Sequence, residues 1–395
     1  MTAPTAHLRA GRIKPILGRH PWVFAGSIER VSGSPADGDA IDLVAPDGRF
    51  LARALWSGRS QISARVFSYT PGEAFDAELV KRRLEGARDY RARVLDLPDP
   101  STTGYRLVHS EADGIPGLVV DVHADVVAMQ LSIQATDRLR GEIVGALEAL
   151  LRPRAIVETS DAHRALEGLA PASGLRAGAL GDGQTIRERG IAYAVDCAAG
   201  QKTGFYYDQR DNRARVARLA RGRSVLDAFC YSGAFALAAW RGGAREVVGV
   251  ESSAPALELA RRSIAANEAT GIELVCADVY RHLGELRRAG RTYELVITDP
   301  PRYATRRGQL GAALQKYREL AGLALAVTAP GGVLVCCSCS GLVDEPAFEA
   351  TVREAAVAAG RAVRIFARGE QAGDHPTSLY CPEGRYLKAL FLHVE

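Results

Sequence analysis

Four apolar stretches in the second half of the chain each run into an acid: Val225-Leu226-Asp227, Val247-Val248-Gly249-Val250-Glu251, Leu274-Val275-Cys276-Ala277-Asp278 and Leu295-Val296-Ile297-Thr298-Asp299. In an open α/β sheet ligands bind beyond the carboxyl ends of the strands, so these four carboxylates are expected to line one crevice. Any one of them could be a helix N-cap, but four in series fit that role poorly. Asp227 is followed by Ala228-Phe229-Cys230-Tyr231-Ser232-Gly233-Ala234-Phe235. Its one glycine, Gly233, lets backbone approach a ligand at the start of a helix, whereas a dinucleotide loop needs Gly-x-Gly-x-x-Gly to admit a pyrophosphate. The loop therefore suits a ligand with a cationic amino-acid part and argues against NAD. Glu251 stands where a carboxylate can accept both hydroxyls of a ribose, and Asp278 where one can accept from an adenine amino group.

These residues resemble the class I S-adenosylmethionine-dependent methyltransferases over about residues 200 to 395. The resemblance implies S-adenosylmethionine as cofactor and S-adenosylhomocysteine as product, with Asp227, Phe229, Gly233, Phe235, Glu251, Asp278, Asp299 and Pro300 around them. Asp299-Pro300-Pro301-Arg302-Tyr303 takes the place of motif IV, where prolines fix φ and hold the acid and the following backbone against a planar substrate. Arg302, inserted before Tyr303, departs from the Asp-Pro-Pro-Tyr of base N-methyltransferases. The run Val333-Leu334-Val335-Cys336-Cys337-Ser338-Cys339-Ser340 delivers a thiol to the same edge. C5 of a pyrimidine becomes nucleophilic only after a thiolate adds to C6, so Cys339 is the expected nucleophile. Asp299 is the expected acid, accepting from the exocyclic amine of cytosine or protonating N3. Cys336 and Cys337, deeper in the run, are expected to be small buried hydrophobes.

Together with Lys202-Thr203-Gly204-Phe205-Tyr206-Tyr207-Asp208-Gln209-Arg210-Asp211-Asn212-Arg213, these features resemble the bacterial 23S rRNA 5-methylcytosine methyltransferases that carry an N-terminal PUA domain, across nearly the whole chain. That resemblance adds Thr203, Phe205, Asp208, Gln209 and Arg213 to the enclosure of the cofactor. It makes Arg12-Ile13-Lys14-Pro15 through His20-Pro21-Trp22-Val23-Phe24 the opening of an RNA-binding barrel. Lys14, Arg19 and Arg30 would meet phosphates, Arg302 and Tyr303 would meet RNA at the crevice, and Trp22 and Phe24 would be barrel core. Many RNA 5-methylcytosine enzymes have a second cysteine after the motif IV proline; Arg302 stands there, so the C5 proton needs another base. Asp299, ordered water, His375 and Glu383 are the candidates. Three other readings stay open. A uridine-5 enzyme commonly shows Asn-Pro where this chain has Ser340-Gly341, a guanine N-methyltransferase would not need Cys339, and a non-catalytic ribosome assembly factor would have no chemical use for the thiol.

A chain of 395 residues calls for two or three domains. From Ser224 onward apolar strands alternate with helical segments, which predicts an α/β domain over 191–395: Rossmann-like, with a mostly parallel seven-stranded sheet. Upstream, short apolar stretches separated by turn signals between Gly26 and Tyr69 predict a small PUA-type β-barrel over 1–72. A middle α+β domain over 73–190 opens with a connecting helix from Phe75 to Leu95. It continues with a hairpin across His123-Ala124-Asp125, a helix from about Thr136 to Leu151, a loop from Gly168 to Gly183, and a second hairpin across Arg189-Gly190. The net charge of +4 is too small to announce nucleic acid, but residues 1–70 hold nine Lys/Arg against five acids. No apolar run reaches the roughly 18 residues of a membrane span, and nothing at the N-terminus resembles a secretory signal, so the expected compartment is the cytoplasm. Of the seven cysteines, three crowd one strand, where neighbours point to opposite faces; reduced thiols are expected, not disulfides or a metal. The partner is expected to be RNA, with homodimerisation left open.

Overall fold

In the computed structural model, residues 3–181, 183–198 and 203–395 are described; Lys202, which opens the segment quoted above, lies outside them. The turn-rich N-terminal segment forms a six-stranded mixed sheet in the spatial order Trp22–Phe24, Ile62–Ser68, Phe50–Trp56, Ala40–Val44, Thr5–Leu8, Ile28–Ser32. Alternation along the strands sends Ala6, Leu8, Ile41, Leu43, Ala52 and Ala54 into one core.

The connecting helix runs over Ala77–Leu95, and Asp76 caps it by accepting from Leu79 N at 2.9 Å. Its buried Val80, Leu84 and Ala87 face the middle domain, while Leu79 packs with Leu55 and Phe67 of the N-terminal sheet and Ile133 of the middle domain. There a five-stranded sheet is ordered Ala172–Gly178, Ala155–Ser160, Val126–Leu131, Leu118–His123, Gly104–His109. The hairpin across Ala124 forms as expected, with that residue at φ +59°. The stretch expected to be loop between Gly168 and Gly183 instead supplies the edge strand Ala172–Gly178, antiparallel to Ala155–Ser160. An edge strand is held by main-chain bonds on one side, and its mostly exposed side chains leave no apolar alternation to read.

The hairpin Gln184–Glu188 with Ile191–Val195 spans the expected domain boundary at 190/191. Its Ile186, Ile191, Tyr193 and Val195 share one apolar cluster with Val126 and Val157 of the middle sheet and Leu237 and Ala238 of the next domain, so the hairpin is the seam between the two.

The C-terminal domain contains strands β1 (Ser224–Ala228), β2 (Glu246–Glu251), β3 (Ile272–Cys276), β4 (Tyr293–Thr298), β5 (Thr328–Ser338), β6 (Val363–Gly369) and β7 (Lys388–Val394). Helices are α1 (Arg210–Leu219), α2 (Ala234–Arg241), α3 (Ala254–Ala266), α4 (Val279–Arg288), α5 (Leu310–Val327) and α6 (Glu345–Ala358). The sheet order is β3-β2-β1-β4-β5-β7-β6, parallel except for β7, which is antiparallel to both neighbours. Both faces are buried. Leu226, Val248, Val296 and Leu334 point to the side of α4, α5 and α6, while Val225, Val247, Leu295 and Val333 point to that of α1 and α2. Strand order reverses between β1 and β4, which opens a crevice beyond their carboxyl ends. Among the described residues no helix is long and apolar enough to cross a membrane.

Candidate active site

Asp227 is the penultimate residue of β1 and is fully buried. Its Oδ2 accepts from Ala236 N at 2.9 Å in the first turn of α2, and its Oδ1 has no hydrogen-bond partner among the described residues. Burial pushes its pKa up to about 8, with Asp299 and Glu251 adding to the rise and the Ala236 amide opposing it. The loop that follows holds Phe229, Tyr231 and Gly233 at φ +67°, +47° and +76°. Left-handed backbone costs a residue with a Cβ about 1–2 kcal/mol, and such strain gathers at binding sites. At Gly233 a Cβ would also meet Ala260 Cβ of α3 at 3.1 Å, so its bareness serves the backbone twist and the packing of α3 as well.

Glu251, at the end of β2, is fixed by three main-chain amides: Tyr231 N at 3.2 Å on Oε2, and Ser252 N and Ser253 N at 2.8 Å each on Oε1. Asp278 is exposed and caps α4 by accepting from Arg281 N at 2.9 Å. The cap role set against the ligand role is therefore real for Asp278 and, from within a strand, for Asp227. Phe229, Glu251, Asp278 and the half-buried Asp299 sit at the sheet's carboxyl edge, and Phe235 and Pro300 are buried behind them. The unpartnered Asp227 oxygen, the strained loop and the prefixed Glu251 carboxylate fit a cationic, ribose-bearing ligand.

The segment after residue 202 is engaged mainly within the protein. Thr203 Oγ1 donates to Asp121, and Arg213 donates twice to Glu188, at 2.7 and 2.6 Å, while lying over the rings of Phe205 and Phe235. Gln209 accepts from Asn212, and Asp208 accepts from Tyr386 Oη at 2.7 Å. Thr203 is thus tied to the middle sheet, and Phe205 and Arg213 to the seam hairpin.

Cys339 follows β5 and is half-buried, its Sγ 3.9 Å from the carbonyl of Pro300. This brings the thiol beside the Asp299-Pro300 turn. The strand tip is held by Ser340, whose Oγ meets Tyr317 Oη at 3.3 Å and Ala304 N at 3.4 Å. The ring of Tyr303 packs against that of Tyr317 at a tilt of 56°, with centroids 4.8 Å apart, and its Oη meets Tyr280 Oη at 2.8 Å. Cys336 and Cys337 are buried, as expected, and burial pushes the Cys336 thiol up to about 12.

Of the two candidate bases outside the Asp299 turn, His375 is buried against Asp374 and the ring of His109. Glu383 is turned instead toward the N-terminal domain, where it accepts from His20 Nε2 at 3.1 Å. His20, Cys381 and Glu383 lie close enough to suggest a metal site. However, His20 Nδ1 accepts from Trp22 N at 3.1 Å, so Nε2 carries the proton and the imidazole ties two domains together. Lys14, Arg19, Arg30 and Arg302 are all exposed. Arg19 lies over the rings of Tyr69 and Tyr380 at 5.3 and 5.9 Å. Trp22 and Phe24 are not core: Trp22 Nε1 donates to Glu111 of the middle domain at 2.9 Å, and Phe24 is 47% exposed.

Sequence reasoning missed Tyr206, Tyr317, Tyr386 and Lys388 around the thiol, and the buried Asp374 that joins Arg106 of the middle domain to Arg210 of α1. The one available signal was a lysine opening an otherwise apolar strand, Lys388-Ala389-Leu390-Phe391-Leu392.

The sequence matches the S-adenosylmethionine-dependent methyltransferase family over residues 163–377 and a PUA-like domain over residues 6–69. It is 41% identical to proteins named Ribosomal RNA large subunit methyltransferase I from Shewanella denitrificans and Aeromonas salmonicida, with 98% of this chain and 98% of each relative covered. The crystal structure of SMU.776, a methyltransferase complexed with SAH, superposes with a TM-score of 0.86 at 20% identity, over 98% of this chain and 99% of that one. At that identity the superposition establishes the fold.

Proposed function

Because the chain belongs to the S-adenosylmethionine-dependent methyltransferase family, its cofactor is S-adenosylmethionine, and we propose that it forms 5-methylcytidine in 23S ribosomal RNA in the cytoplasm. The observation that carries this reading is the thiol of Cys339 beside the Asp299-Pro300 turn. A transferase to a base nitrogen has no use for a nucleophile there, whereas C5 of cytosine needs one. The RNA substrate is supported by the names of the relatives, the PUA-like match and the exposed Lys14, Arg19 and Arg30.

When bound, S-adenosylmethionine supplies an electrophilic methyl group on a sulfonium. Asp227, Glu251 and Asp278 would hold it, with Phe229 at its side. The target base, turned out of its stack, would lie between Cys339 and Asp299, with Tyr303 and Arg302 at the entrance. Cys339 sulfur adds to C6, Asp299 binds the exocyclic amine and N3 as the ring takes up charge, and C5 accepts the methyl group. Loss of the C5 proton to a base then restores the ring and expels the Cys339 thiolate. His375 is too enclosed and Glu383 too committed to His20 for that step, which leaves Asp299 or water.

The test incubates the protein with tritium-labelled S-adenosylmethionine and unmodified 23S rRNA and identifies the labelled nucleoside. Label in 5-methylcytidine is expected, and label in 5-methyluridine or a methylguanosine refutes the assignment. Cys339→Ala should abolish turnover, and full activity in that variant would rule out the covalent route.

A further inference from the structure

β7 begins with a lysine in a place that excludes water. Lys388 stands opposite Ser338 at the carboxyl end of β5 and is 5% exposed. Its Nζ donates to the carbonyls of Ser340 at 2.6 Å and Tyr386 at 2.8 Å. A buried ammonium is ordinarily paired with a carboxylate, yet both hydrogen-bond acceptors of this one are neutral main-chain carbonyls. Two carbonyls satisfy two of its three protons without neutralising its charge.

The residue before Ser340 is Cys339. Burial pulls the Lys388 amine down to about 8, and the group that most opposes this fall is Cys339, ahead of Asp344 and Glu345 at the start of α6; Arg302 adds to the fall. Around the thiol stand Tyr206, Tyr303, Tyr317 and Tyr386, all of which burial pushes above the ordinary phenol range. They carry no charge at neutral pH. Asp299 is the neighbouring acid, and a carboxylate there works against a thiolate whereas a cation favours one.

We propose that Lys388 is a positioning residue for Cys339: its ammonium pins the Cys339-Ser340 turn through the Ser340 carbonyl and offsets the charge of the ionised sulfur. The proposal rests on Cys339 being the nucleophile. In the free protein the thiol proton leaves to solvent and Lys388 keeps its own, so the sulfur's charge forms in the field of a cation held on the adjoining Ser340 carbonyl. When the sulfur then adds to C6 its charge passes into the base.

The experiment uses the full-length protein without cofactor or RNA. Iodoacetamide alkylation is followed from pH 6 to 10, and modification of Cys339 is located by tandem mass spectrometry in wild type, Lys388→Met and Lys388→Arg. In wild type the midpoint is expected below the roughly 8.5 of a free cysteine. Lys388→Met should raise it by about one pH unit and slow alkylation at pH 7 about tenfold. Lys388→Arg should restore most of the shift, and the rate at exposed Cys276 should not change in either variant. Equal midpoints in wild type and Lys388→Met overturn the proposal. If Lys388→Met does not fold, a wild-type midpoint above that of free cysteine overturns it alone. The two readings fail separately: an inactive Cys339→Ala with an unshifted midpoint sinks only the lysine's role, and an active Cys339→Ala with a shifted midpoint sinks only the nucleophile.

Discussion

Removing the carboxylate of Asp374 should loosen the joint between the middle domain and the catalytic domain, by an amount the geometry bounds. Asp374 is fully buried, and its Oδ2 accepts from Arg106 N and from Arg210 Nη2, both at 2.9 Å, while Oδ1 meets His375 Nδ1 at 3.1 Å. Burial alone would raise its pKa, but Arg210 and His375 more than offset this and hold it below the ordinary carboxylate range. In Asp374→Ala the Arg210 guanidinium loses that carboxylate and keeps Glu188 at only 3.7 Å. Breaking one side of a buried ion pair costs about 3–5 kcal/mol, because the other charge stays desolvated. The Arg106 amide reports the event directly. At about 1.4 kcal/mol per decade, its hydrogen exchange should accelerate roughly 100-fold to several thousand-fold at pH 7. Asp374→Asn, which retains an acceptor for Arg106 N, should accelerate it less. The carboxylate's folded pKa is depressed, so its contribution is complete above about pH 4 and lost as pH falls below that, where wild type and Asp374→Ala should converge. Exchange mass spectrometry on the peptide covering Gly104–His109 measures this, with Ala40–Val44 of the N-terminal sheet as the unaffected reference. Unchanged exchange in the first peptide would refute the claim that this buried pair holds the joint.

Two further perturbations probe the catalytic domain. Asp227 has the opposite sign: its folded pKa, near 8, lies above the unfolded value near 4, so its contribution is complete below about pH 4 and declines as pH rises toward 8. Asp227→Asn does not titrate; its melting temperature relative to wild type should climb from pH 5 to pH 8, and a constant difference would contradict the buried, raised carboxyl. Gly242→Ala would place a Cβ 1.9 Å from the carbonyl oxygen of Ala217 on α1, at a residue whose φ of −74° suits any side chain. The cost is purely steric, about 1–3 kcal/mol, and should lower the melting temperature by several degrees; an unchanged value would mean that α1 and α2 are not in contact there.

The alternation of apolar strands and helices after Ser224 was enough to give the parallel sheet, and the acids closing the apolar runs were enough to place four carboxylates at its carboxyl edge, because both follow from chain period and local polarity. Cys339 was legible for the same reason, as a polar tip on an apolar run. Trp22 and Phe24 were misread, since an aromatic flanked by apolar residues looks alike whether it faces a core, a neighbouring domain or solvent. The strand Ala172–Gly178 escaped notice because its pairing is almost wholly main-chain.

By itself, then, the sequence determined the alternation of strands and helices after Ser224 and the placing of acids and a thiol at strand ends, each encoded within a few consecutive residues. Tertiary structure alone decided that Asp227 is committed to the amide of Ala236, that Gly233 packs on Ala260, and that Lys388 lies under the carbonyl of Ser340, 48 positions earlier in the chain. Such pairings arise from strand order and register. β7 runs antiparallel between β5 and β6, and that placement brings a lysine near the end of the chain beneath the turn that carries Cys339.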